Sequence, residues 1–125
     1  MALDFDPRYL EFFRLFEKEK FFEAHEVLED LWRETQGEKR EFYHGLIQLA
    51  ALLVHFQKGN LTGAKELFRT ASGYLEPYRP DYESLPVSKI LEDFKNFLAL
   101  WSRDPKNPSL AKPFLSHVAL ERNNE

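Results

Sequence analysis

The sequence contains no cysteine. That excludes disulfides and thiolate metal sites and fits a reducing, cytoplasmic setting. Glycine is scarce, at 5 of 125 residues, and there is no glycine-rich phosphate loop and no GxSxG elbow. Long hydrophobic runs are missing as well. The most apolar stretch, residues 45–56, is too short to cross a bilayer and includes Gln48 and His55. The amino-terminal MALDFDPRYLEFF lacks a basic segment followed by an apolar one, so neither a signal peptide nor membrane association is expected. Net charge is −4, with lysine and arginine scattered along the chain. Binding to a phosphate backbone normally needs a clustered basic face, so nucleic acid is not an expected partner.

Aromatic side chains are abundant, at 15% of the sequence with 12 Phe. Burying one such ring is worth roughly 2–3 kcal/mol, so a small chain rich in them can hold a core without covalent staples. The length suits one domain. Hydrophobic spacing predicts an all-α fold of about five helices, packed as antiparallel hairpins around a central apolar helix. The expected domain spans 1–103, and 104–125 is a proline-rich tail.

Asp6-Pro7 reads as a helix start, cap followed by proline. Tyr9, Phe12, Phe13 and Phe16 follow at helical spacing. A second helix carries Phe21, Ala24, Leu28, Leu31 and Trp32 on one stripe, with Glu23, Glu26 and Asp30 on the other side and Gln36-Gly37 as its stop. The third, about 40–57, is apolar around most of its circumference, which marks a central helix. Gly59-Asn60 ends it and caps a fourth helix bearing Leu61, Ala64, Leu67, Phe68, Ala71 and Leu75. A proline-rich connection, 76–86, precedes a fifth helix with Ile90, Leu91, Phe94, Phe97, Leu98 and Trp101 on one face. Pro105, Pro108 and Pro113 then forbid a long helix, leaving an extended tail that could dock through Phe114 and Leu115. Residues 21–31 and 61–71 share a weak pattern at a spacing of 40 (Phe21, Ala24, Glu26, Leu28 against Leu61, Ala64, Glu66, Phe68). The layout is thus weakly similar to tetratricopeptide repeats.

The segment around His25 carries the chemistry. At about 100° per residue, His25 falls within the wedge of Phe21, Leu28 and Trp32, and Glu29 flanks it one turn later. A core histidine bonded to a neighbouring carboxylate or carbonyl accounts for this pair as well as a ligand role does. His25-Glu26 begins like HExxH, but Glu29 stands where the second histidine would be. On the third helix His44, Gln48 and His55 share a wedge of roughly 40°, with Ala51 beside them. If that stripe faces the second helix, His25, Glu29 and His55 supply two imidazoles and a carboxylate, a set that suits zinc, iron, manganese or nickel. Glu26, Trp32, Gln48 and His44 would then line the pocket or support the ligands, while Trp32 and Tyr43 serve chiefly as core. No catalytic residue is named by the pattern alone.

Phe22-Glu23-Ala24-His25-Glu26 through Trp32, then Phe42-Tyr43-His44-Gly45-Leu46-Ile47-Gln48 with Ala50, Ala51 and His55, then Gly59-Asn60 with Gly63-Ala64, resembles a bacterial and archaeal family, domain of unknown function 309. The likeness extends over about residues 9–100. The family's motif HxxxExxW is met by His25, Glu29 and Trp32, and His44 stands where the family would have glutamine. The resemblance implies a compact all-helical fold and a metal-binding or catalytic role for the motif.

Three functions follow as expectations. The first is a metal-binding domain, a small metal-dependent hydrolase, in which a divalent ion activates water. The second is a helical interaction module, with a protein partner or a second copy in a groove and a buried His/Glu network. The third is a small-molecule binder in which His25 and Gln48 orient a ligand in an aromatic pocket.

Overall fold

The computed structural model describes residues 5–106. Five α-helices follow one another: α1 (Pro7–Glu17), α2 (Phe21–Glu34), α3 (Glu38–Gln57), α4 (Leu61–Leu75) and α5 (Val87–Arg103). A short 3-10 turn, Glu76–Tyr78, lies between α4 and α5. No strand occurs among the described residues; one isolated bridge joins Tyr82 to Leu85 in the last connection. Pro108, Pro113, Phe114 and Leu115 lie outside the described residues.

The short connections at 18–20, 35–37 and 58–60 turn each helix back on its predecessor, the usual route to antiparallel neighbours. Asp6 starts α1 as expected, its carboxylate accepting the Arg8 amide at 2.8 Å. Asn60 does the same for α4, accepting Gly63 N–H at 2.9 Å. The expected stop of α2 is corrected. The helix ends at Glu34, where the Thr35 hydroxyl bonds the Leu31 carbonyl at 2.6 Å. Gly37, at φ 84, is instead the residue that opens α3, two positions earlier than the hydrophobic pattern suggested.

α3 is the central element. Phe42, Leu46, Leu49, Ala50, Leu52 and Leu53 are wholly buried, and α3 packs against both α2 and α4. Its approach to α4 is close at Gly45, where an added Cβ would stand 2.5 Å from Leu75 Cγ. α5 closes one side through Phe97 and Trp101, whose rings meet Phe56 edge-on at 5.1 and 5.3 Å. On another side Tyr9 and Tyr43 are sealed in, and burial pushes the Tyr43 phenol up to about 12. The Tyr9 hydroxyl donates to the Glu83 carbonyl at 2.9 Å, tying α1 to the last connection.

Arg8 clamps the start of α1 to the end of α2. Its guanidinium donates to both oxygens of Asp6, at 3.1 Å each, and to both of Glu34, at 2.9 and 3.1 Å. Those bonds hold the Asp6 and Glu34 carboxyls below their ordinary ranges. A carboxyl with a depressed native pKa stabilises the fold above its unfolded-state pKa, and the contribution disappears as acid protonates it. Stability should therefore fall between about pH 5 and about pH 2, and Arg8→Ala should flatten part of that fall. Urea midpoints across this range check it; identical pH profiles for the two proteins would refute the clamp. The effect should be small, because the pair is partly exposed and screened by solvent.

Candidate functional site

The wedge of polar residues on α3 runs along the seam between α2 and α4. His44, Gln48, Ala51 and His55 are all half-buried; the other α3 residues from Phe42 to Leu53 are buried. On α2, the motif residues His25, Glu29 and Trp32 are half-buried as well. The two sets face each other at two places.

The first is an open cleft of about 160 Å³, lined by Phe22 and His25 of α2, Ala51, Val54 and His55 of α3, and Lys58 just after α3. Phe22 stacks on His25, with ring centroids 6.0 Å apart and planes 16° from parallel. His55 is held from the far side. Asn60 Oδ1 accepts the Gly63 amide, which turns its Nδ2 toward His55 Nδ1 at 3.1 Å. An amide nitrogen only donates, so Nδ1 accepts, and the neutral ring carries its proton on Nε2. Gly63 is needed for this arrangement, since a Cβ there would lie 2.7 Å from Asn60 Nδ2 and 3.1 Å from His55 Nδ1.

The second place lies further toward the start of α3. The His44 ring sits between Trp32 of α2, at 4.9 Å, and Tyr74 of α4, at 4.2 Å. Gln48 Nε2 is 3.5 Å from His44 Nε2, at the outer limit of a hydrogen bond. Arg40 covers the other end of the seam. Its guanidinium lies 4.2 Å from the Trp32 ring centroid and donates to the Trp32 and Thr35 carbonyls at 3.1 Å each. It thus adds a second bond to the Trp32 carbonyl, which already accepts the Thr35 amide, and engages the Thr35 carbonyl beyond the helix end.

The expected ligand trio is not brought together. His25 and His55 share the cleft, but Glu29 is not part of its lining. One Glu29 oxygen accepts from Arg33 at 2.8 Å, while the other is 3.8 Å from His25 Nε2, too long for a hydrogen bond. Among the described residues no three of His, Cys, Asp and Glu form a group able to hold a metal ion. The His55 tautomer points the same way. An imidazole that ligates through Nε2 carries its proton on Nδ1 and donates it to an acceptor, whereas here Nδ1 itself accepts. Among the described residues these three side chains do not form a metal-holding group, and the hydrolase reading that rested on them gains no support. Glu26, expected beside the site, is exposed on the outer side of α2, and His44 and Gln48 stand away from the cleft, at the Trp32 end.

Lys58 and Arg40 escaped the sequence pattern. Both signals were present: Lys58 follows His55 by three positions, one helical turn, and Arg40 precedes His44 by four. Buried polar atoms without a hydrogen-bond partner gather along the same seam. They include His25 Nδ1, Trp32 Nε1 and Gln48 Oε1. Such atoms are costly in a core and concentrate where a fold serves something other than its own stability.

Comparison with known proteins agrees with the likeness read from the sequence and trims its extent. The family described as domain of unknown function DUF309 matches residues 9–67, ending within α4 rather than near residue 100. A curated relative, "Uncharacterized protein YpuF" of Bacillus subtilis (strain 168), is 37% identical over 75 residues. That alignment takes in 58% of this chain and 43% of the relative, so the chain spans less than half of that protein's length. The matched family segment contains the whole HxxxExxW motif, the second block and the Asn60 turn, that is, every residue lining the cleft.

Proposed function

We propose, taking the DUF309 match over residues 9–67 as the premise, that this helical domain binds a small organic molecule in the cleft between α2 and α3. One observation carries the reading: His25 of the motif and His55 of the second block line the same cleft, with Phe22, Ala51 and Val54 as apolar walls. Concave, mostly apolar sites with a few convergent polar groups are the usual form of a ligand pocket. The volume is modest. About 150 Å³ is enough for a benzene-sized molecule, so the ligand, or the part of it that enters, is small.

A groove for a partner helix has less in its favour. Among the described residues, Phe22 is the exposed large hydrophobic, at 56%. A helix-binding face needs a contiguous apolar patch several times larger than one ring. A cytoplasmic site of action, suggested by the absence of cysteine, belongs to the same proposal.

The test is a titration of the protein with a set of small aromatic and aliphatic molecules, followed through the imidazole NMR signals. The His25 and His55 signals should move together and saturate, with His44 not following, and the melting temperature should rise. A set in which no molecule moves either ring would sink the reading.

A further inference from the structure

The cleft's polar lining consists of two imidazoles and an ammonium group. His25, His55 and Lys58 contribute to it, and no carboxylate does. The Asn60 bond fixes His55 as a donor at Nε2. Lys58 is exposed and, like most lysines among the described residues, is held by no ion pair; what sets it apart is its place in the cleft lining. Lys58 and His55 stand one helical turn apart, on the same side of α3, where both can address one ligand group.

Two nearby features oppose an anion, and both are weakened. On α2 the Glu29 carboxylate comes within 3.8 Å of His25, and Arg33 holds it at 2.8 Å. The carbonyl end of α3 carries a partial negative charge, but three of its last four carbonyls are occupied: Lys58 N–H reaches those of Val54 and His55, Gly59 N–H that of Phe56 and Asn60 N–H that of His55. What is left of that end is below about half a charge, against the full charge of Lys58.

From this balance we infer that the ligand is a small carboxylate on a compact apolar body. The carboxylate would accept from His55 Nε2 and Lys58 Nζ, and the apolar part would rest against Phe22, Ala51 and Val54. A bare phosphate makes no use of those three walls. The inference rests on the cleft-binding reading above and adds the class of ligand.

The experiment compares benzoate, benzyl alcohol and inorganic phosphate on the full chain by NMR titration, with Lys58→Ala and Lys58→Arg alongside the unaltered protein. Benzoate should bind about fivefold or more tightly than benzyl alcohol, the worth of one solvent-exposed charge-assisted bond. Lys58→Ala should erase that preference, and Lys58→Arg should keep it. Lys58 lies on the surface after the helix, and an unchanged circular dichroism spectrum will show that each variant is folded. Equal binding of benzoate and benzyl alcohol would reject the carboxylate and leave the cleft a neutral-ligand site. Phosphate binding as tightly as benzoate would reject the apolar body. No binding by any of the three would overturn the inference together with the reading it rests on.

Discussion

Phe42→Ala is expected to cost about 3–5 kcal/mol of folding free energy, the usual range for truncating a fully buried phenylalanine. The ring is wholly buried on the central helix, and it is where separate parts of the chain meet. Its centroid lies 6.2 Å from Tyr9 on α1, 5.4 Å from Tyr78 in the 3-10 turn and 4.8 Å from Tyr82 in the last connection, with Tyr43 at 5.8 Å on α3 itself. Two of these neighbours are anchored through their own hydroxyls, Tyr9 to the Glu83 carbonyl and Tyr78 to the Glu38 carbonyl. Collapse around the missing ring would therefore have to break a hydrogen bond, which places the cost toward the upper end. A small domain is stable by only about 5–15 kcal/mol, so the variant should be partly unfolded or close to it. Urea denaturation followed by circular dichroism measures this. A loss below about 1 kcal/mol would mean that Phe42 does not join these elements as described.

Ala51→Phe should weaken binding in the cleft by about tenfold or more while leaving the fold intact. Ala51 is half-buried on the floor between Val54 and His55, so a ring built there enters the 160 Å³ space rather than the core. For a molecule that needs that volume, the affinity should fall by about tenfold or more, since each 1.4 kcal/mol lost is a factor of ten. The urea midpoint should change little, because a half-exposed position has no packed neighbours to displace on its open side. The same NMR titration reads the first effect and denaturation the second. Undiminished binding by a folded Ala51→Phe protein would place the ligand elsewhere.

The fold was legible because hydrophobic spacing is a property of each helix alone. Tyr9, Phe12, Phe13 and Phe16 mark one face of α1, and all four are buried. The near-complete apolar girdle of α3 announced a central helix, and α3 is one. Caps were readable where a side chain makes them, at Asp6 and Asn60. The end of α2 was misplaced because a glycine after a helical stretch reads as its stop, whereas Gly37, at φ 84 and ψ −154, is the entry to α3. The site was legible only in part. Periodicity placed His25 on the core-facing stripe of α2 and His55 on the polar wedge of α3, and the two do line one cleft. Periodicity could not say which partner a polar group takes when several are in reach. Glu29 had His25 four residues before it and Arg33 four residues after, and in the structure it is the guanidinium that bonds it. His55 was read against α2, yet the residue that sets its proton is Asn60, beyond the end of its own helix.

That dependence of His55 on Asn60 and Gly63 separates the two connections that flank α3 as places for engineering. The connection at 58–60 is a spacer of fixed length: extra residues spliced into it would carry the asparagine away and let the imidazole spin, so a graft there would alter recognition even with every helix intact. The connection at 35–37 sets no proton in the cleft, and its exposed Gln36, between the Thr35 cap of α2 and a Gly37 whose φ of 84 favours glycine, is the place for added length. An affinity tag or reporter peptide is better inserted at that second site, where exposed chain tolerates added length.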